Sequence, residues 1–144
     1  MPWHQFSWKK LKNHGLYAMT DNQNEKLTLV LGASPNPDRA SYDALKSLIL
    51  RGIPVIAVGR REYEQGDIMI LKHIPEDYGR IHTVTLYLSA SNQEEFIDSI
   101  LAMNPERIIF NPGTRNPAFA VMARNRGIEV IEDCTLVMLK TGRF

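Results

Sequence analysis

Apolar positions come in short runs separated by stretches in which they recur every three or four residues, and this alternation dictates the predicted elements. Residues 27–31 form a continuous apolar-rich run, the pattern of a strand buried on both faces of a parallel sheet. After a polar loop, Leu45, Leu48 and Ile49 fall on one helical stripe. Asp38 stands where a cap is needed, and Gly52, with Pro54 beyond it, stops the helix. Residues 54–58 form the second strand, which ends at Gly59-Arg60-Arg61. Residues 67–71 predict a short strand, and residues 74–77 a turn with a single helical turn. Residues 82–88, rich in β-branched and aromatic side chains, predict the next strand. Ser91 and Glu94 make a capping-box pattern for a helix that turns Phe96, Ile97, Ile100 and Leu101 inward and ends before Asn104-Pro105. Residues 107–110 are a further strand, closed by Asn111-Pro112-Gly113-Thr114. Asn116 followed by Pro117 is an N-cap and first-turn pair for a helix that runs toward Gly127, with Arg124 and Arg126 complementing its dipole. Residues 128–131 are the last strand.

Strands alternating with helices across short connections predict an α/β fold, a doubly wound and mainly parallel sheet with helices on both faces. In such a sheet the loops that follow the strands gather at the carboxyl edge, and ligands bind there near the reversal of strand order. Residues 32–39, 59–61, 88–90, 111–115 and 133–135 therefore share one rim, which is the expected site.

The loop Gly32-Ala33-Ser34-Pro35-Asn36-Pro37-Asp38-Arg39 joins the first strand to the first helix. A strand that stops there leaves backbone N–H groups beside the positive end of the helix, which suits a phosphate. The pattern is not G-x-G-x-x-G, because only Gly32 is present, so a plain NAD fold is a poor match. The plainer alternative is an ordinary strand-to-helix connection. Arg60 and Arg61 stand where an NAD-binding fold carries an acid for the ribose hydroxyls. A guanidinium fork matches phosphate oxygens, which points to a ribose phosphate, in NADP or coenzyme A. The plainer alternative here is a solvated basic turn balanced by Glu62 and Glu64.

At 144 residues the chain has the length of one domain, and its formal net charge of +1 argues against a nucleic-acid surface. A single cysteine, Cys134, excludes an internal disulfide and gives no four-thiolate metal site, and a reducing cytoplasm is the expected setting. No window has the apolar length of a membrane span, and the first residues lack a signal-peptide core. Residues 1–26 read as an N-terminal extension and linker ahead of a domain at 27–144. Trp3, Phe6, Trp8 and Leu11 either dock on the domain or a partner, or belong to an unordered terminus.

Catalytic constellations are scarce. His4 and His14 lie in the extension, His73 in an irregular loop and His82 at a strand start far from the rim, so each is expected to be satisfied or solvent-facing. Carboxylates at Glu132 and Asp133 disfavour a reactive thiolate at Cys134, which is expected to be structural and partly buried. No catalytic residue and no metal ligand set is expected.

Residues 30–42, from Val30-Leu31-Gly32 through Arg39-Ala40-Ser41-Tyr42, with Gly52-Ile53-Pro54-Val55-Ile56-Ala57-Val58 and Gly127-Ile128-Glu129-Val130-Ile131-Glu132-Asp133-Cys134, resemble the stand-alone CoA-binding domain proteins. These are similar to the nucleotide-binding domain of the succinyl-CoA synthetase α subunit. The resemblance implies a Rossmann-type fold with coenzyme A or an acyl-CoA at the rim. It implies the loop of Gly32, Ala33 and Ser34, with Arg39, near the phosphates and pantetheine, and Gly59, Arg60 and Arg61 near the adenosine end, and Ser41 is a further candidate binding residue. Leu88, Asn111, Pro112 and Gly113 complete the candidate binding residues from the other rim loops. The chain departs from the family pattern in having Gly59-Arg60 where Asn-Pro is usual, and in lacking a basic residue near Ser89-Ala90. The synthetase also uses a following domain with a phosphorylated histidine, so this chain is expected to bind rather than catalyse. Two readings compete with it. One is an NADP-dependent reductase or its cofactor domain, which wants a Tyr/Lys pair in the crevice, whereas Tyr42 and Lys46 fall on the first helix. The other is a protein-interaction module whose ligand site has decayed.

Overall fold

The computed structural model describes residues 26–144 and, ahead of them, the backbone of β1 (Trp8–Leu11) and β2 (Leu16–Ala18). Its centre is β3 (Thr28–Ala33), in which Thr28, Leu29, Val30 and Leu31 are inaccessible to solvent. Successive side chains leave a strand on opposite faces, so Leu29 and Leu31 enter one hydrophobic cluster while Val30 enters another, which Ala33 joins because the register shifts between Leu31 and Ala33. Two cores need apolar side chains at every position, which is why this stretch reads as a run.

β4 (Val55–Gly59), β3, β7 (Thr83–Leu86), β8 (Arg107–Phe110) and β9 (Glu129–Glu132) lie parallel in that spatial order. Helices cover both faces. α1 (Ala40–Leu50) and α5 (Thr135–Lys140) close the Val30 side through Leu45, Leu48 and Leu139. α3 (Ile97–Met103) and α4 (Pro117–Asn125) close the other through Ile97, Ile100, Phe119 and Ala123. Phe119 meets Phe110 edge-on, with ring centroids 5.6 Å apart. The doubly wound α/β sheet anticipated from the alternation is therefore the observed one.

The outer edge of β4 is shared by two partners. Leu16 of β2 pairs antiparallel with Ile56, and β1 lies beyond β2. Leu71 bridges Val58 in parallel, with its N–H donating to Ala57 O at 2.8 Å and its carbonyl accepting from Gly59 N at 2.8 Å. Leu71 follows the hairpin of β5 (Tyr63–Gln65) and β6 (Ile68–Ile70), of which the pattern predicts only the second strand.

Several local expectations are corrected. Residues 74–77 contain no helical turn. Asp38 does not cap α1; the N-cap is Arg39, and the Asp38 N–H is taken by Asn36 Oδ1 at 2.9 Å. The Ser91–Glu94 capping box is absent: Ser89 is the N-cap of α2 (Ala90–Gln93), and the Ser91 hydroxyl sits 3.3 Å from the Ser89 hydroxyl. The expected single helix is broken by a 3-10 turn at Glu94–Phe96, between α2 and α3. α5 follows β9 although the hydrophobic pattern does not announce it. The Asn116 cap does form, its Oδ1 accepting from Phe119 N at 3.2 Å. Trp3, Phe6, His4, His14 and the linker across residues 20–25 lie outside the described residues.

Candidate functional site

The chain leaves β3 for β4 on one side and then crosses to β7 on the other, so strand order reverses between β3 and β7. At that carboxyl edge the two strands part and leave a crevice. A cavity of about 1040 Å³ opens there, lined by Gly32, Ala33, Ser34, Arg39 and Ser41 after β3, by Gly59, Arg60 and Arg61 after β4, and by Tyr87, Leu88 and Ser89 after β7.

Gly32 sits at φ +94° at the point of reversal, and a Cβ there would lie 2.9 Å from the Tyr87 carbonyl carbon. The glycine is demanded by the protein's own backbone before any ligand enters, so a bulky residue at 32 reports on packing first. The loop beyond it holds itself in shape. Ser34 Oγ accepts from Asn36 N at 3.1 Å, Asn36 Oδ1 from Asp38 N, and Asn36 O from Arg39 N at 3.0 Å. No side chain caps α1, while Ala40 and Ser41 of its first turn line the cavity, so its first N–H groups and its positive dipole end open toward the space.

Lys72 and His73 also line the cavity, next to Arg60 and Arg61, and all four are exposed. The Val58–Leu71 bridge puts them there, since a residue clamped to the end of β4 delivers its two successors onto the rim. His73 is solvent-facing as expected, yet it belongs to the site. The basic pair after the apolar run 68–71 is the available sequence signal; the bridge that gives it meaning joins distant residues. The β7 side adds Asn92, Glu95 and Phe96.

Asn111, Pro112 and Gly113 are placed outside the cavity lining. Asn111 is buried and its amide makes three hydrogen bonds inside the protein. Nδ2 donates to Thr85 Oγ1 at 2.7 Å and Leu86 O at 2.8 Å, and Oδ1 accepts from Thr135 N at 2.8 Å. Pro112 and Gly113 are exposed on the rim beyond it. Gln93 extends the same bracing: its Nε2 donates to Leu88 O at 2.8 Å and Thr114 O at 2.7 Å, and Asn116 Nδ2 donates to its Oε1 at 2.9 Å. These bonds fix the Leu88 wall of the cavity against the loop after β8. Tyr87 lines the cavity, but its hydroxyl is buried beside those of Thr85 and Thr135 without a bond of good geometry to either. Burial pushes its pKa up to about 12, so it stays protonated.

Cys134 is partly buried and outside the cavity, its N–H held by Asp133 Oδ1 at 2.6 Å. Tyr42 and Lys46 line a separate hollow of about 290 Å³ between α1 and the β5–β6 hairpin. His82 lies at the opposite edge of the sheet, its Nδ1 2.7 Å from Thr83 Oγ1. Among the described residues no group of three or more His, Cys, Asp or Glu is placed to hold a metal, and no helix is long and apolar enough to cross a membrane.

Residues 26–140 match a family model described as a CoA binding domain. Among solved structures, the chain is similar to an uncharacterized protein at 41% identity and a TM-score of 0.78, over 83% of this chain and 98% of that one. It shares its fold with a protein from Thermus thermophilus (22% identity, TM-score 0.73, 83% of this chain and 91% of that one). It also shares it with a hypothetical protein from Pyrococcus horikoshii OT3 (19% identity, TM-score 0.73, 82% of this chain and 84% of that one).

Proposed function

Because the chain belongs to the CoA-binding domain family, we propose that it binds coenzyme A or an acyl-CoA in the cytoplasm without transforming it, in the cavity at the β3/β7 reversal. One observation carries the reading. Arg39, Arg60, Arg61, Lys72 and His73 converge with the uncapped start of α1 on a single cavity of about 1040 Å³. That volume stands at the upper end of ordinary ligand sites, roughly 300–1,000 Å³, which suits an elongated ligand. Its basic groups suit one that carries several phosphate charges. Gly32, Ala33, Ser34, Arg39, Ser41, Gly59, Arg60, Arg61 and Leu88 are the proposed contacts, with Lys72 and His73 added by their position. Among the described residues, no serine of the lining has a hydrogen bond to a histidine, lysine or carboxylate side chain, and the cavity is therefore taken as a binding site. Tyr42 and Lys46, which a reductase reading would want in the crevice, sit elsewhere.

The test is the 3′-phosphate. A charge-assisted hydrogen bond contributes about 1.5–3 kcal/mol, and exposure of the arginines favours the low end, so dephospho-CoA is expected to bind about tenfold more weakly than CoA. The Arg60→Ala, Arg61→Ala double variant should erase most of that gap in calorimetry, and NADP should bind more weakly than CoA. Equal affinity for CoA and dephospho-CoA would reduce the arginines to a solvated turn. Tighter binding of NADP would move the assignment to the reductase reading.

A further inference from the structure

Charge is distributed unevenly along the cavity, and the unevenness follows strand order. At the β4 end stand Arg60, Arg61, Lys72 and His73, and Arg39 lies in the middle, beside β3. The β7 end contributes Ser89, Asn92 and Glu95 over the apolar Leu88 and Phe96, and among the described residues its one charged side chain in the lining is the carboxylate of Glu95. Leu88 and Phe96 are half-buried against the hydrophobic core, which gives this end a firm floor. Ser89, Asn92 and Glu95 are spaced by three. Ser89 caps α2, Asn92 lies within it and Glu95 lies in the 3-10 turn at Glu94–Phe96, and residues three apart share one side of a helical segment, so all three line the same wall. Glu94, next in the chain, is exposed but outside the lining.

Coenzyme A is a long molecule with its phosphates toward one end and its thiol at the other. With the phosphates held at the basic end, the thiol or thioester runs past the β3 loop toward the β7 end. We propose that Glu95 is a specificity-determining residue that rejects acyl groups ending in a carboxylate, so that the ligand is free CoA or a CoA thioester of an uncharged acyl group. This rests on the CoA-binding reading of the cavity. Two like charges a few ångströms apart at a solvated surface repel enough to change affinity several-fold, and the effect weakens with salt.

The experiment compares CoA, acetyl-CoA and succinyl-CoA by calorimetry at low and high salt on the full chain, alongside Glu95→Gln and Glu94→Gln. Acetyl-CoA is expected to bind about five- to tenfold more tightly than succinyl-CoA at low salt, with the gap narrowing at high salt. Glu95→Gln should bring the two ligands to within about twofold of each other, while Glu94→Gln should leave the preference in place. Parity between acetyl-CoA and succinyl-CoA in the parent protein, or a preference that survives Glu95→Gln, overturns the assignment while leaving CoA binding intact. Failure of CoA itself to bind overturns the reading of the cavity, and this assignment with it.

Discussion

Gly59 shows how closely the rim is built. A Cβ at this position would lie 2.1 Å from Ala33 O and 3.2 Å from Ile70 Cγ2, so the ends of β3 and β4 and the hairpin meet across the missing side chain. Both its neighbours are fixed, since Ala33 ends a buried strand and Gly59 N is bonded to Leu71 O. Gly59→Ala is therefore expected to destabilise the fold by about 2–4 kcal/mol in urea denaturation, against at most about 0.5 kcal/mol for Arg60→Ala one residue on, which is exposed. A neutral Gly59→Ala would show that the ends of β3 and β4 do not meet this closely. Asn111 makes the complementary point. Its place in a rim loop suggests a ligand contact, but its bonds to Thr85, Leu86 and Thr135 commit both N–H donors and one lone pair of the amide oxygen to holding β7 and the start of α5.

At the scale of elements, the segment after β7 is a broken helix whose pieces do different work. α2 and the 3-10 turn carry Asn92, Glu95 and Phe96 to the cavity, while α3 turns Ile97, Ile100 and Leu101 into the core. A continuous helix has one buried stripe and one exposed one, so the break lets a single segment serve two surfaces. α3 ends at Asn104, which adopts the left-handed conformation at φ +47° and ψ +60°. Asparagine tolerates that region better than other L residues, though less well than glycine. Asn104→Gly is expected to hold or raise the melting temperature, while Asn104→Ala should cost about 1 kcal/mol, read from paired thermal melts. A reversed order would mean that the Asn104 side chain contributes more than its backbone.

Across the whole molecule, cations collect at both edges of the sheet for different reasons. At the carboxyl edge they line an open cavity. At the amino edge Lys26 and Arg107 converge on Phe144, whose main-chain oxygen accepts from Lys26 Nζ and, at 3.0 Å, from Arg107 Nη2. The Arg107 guanidinium also lies over the Phe144 ring, 4.4 Å from its centroid. His82 stands in this group, and its pKa is held below the usual imidazole value, first by burial and then by the charge of Arg107. Because the folded pKa lies below the unfolded one, the unfolded chain takes up a proton first as pH falls. Stability from this group is complete above the unfolded value of about 6.5 and is lost below it. Melting temperatures measured between about pH 8 and pH 5 should fall less steeply for His82→Gln than for the parent. Identical slopes would leave His82 out of the acid response.

The alternation of apolar runs with helical stripes was enough to determine the layers. Burial on two faces demands unbroken apolarity in β3 and β4, and one-sided burial demands the stripe that Leu45 and Leu48 make on α1. Strand order, which sets β3 between β4 and β7 and so places the crevice, belongs to the tertiary structure. The rim loops were legible from the alternation, which is why Gly32, Ala33, Ser34, Arg39, Gly59, Arg60, Arg61 and Leu88 could be gathered from sequence and lie along one cavity. Tertiary structure alone decided the rest. Lys72 and His73 reach the cavity through a bridge between Leu71 and Val58, Glu95 faces it from the 3-10 turn between α2 and α3, and Asn111 is withdrawn by partners in β7 and at the start of α5. Each depends on contacts between residues far apart in the chain or on a small change of helical pitch. A hydrophobic pattern carries neither, because it records which side chains avoid water and not which polar groups find one another.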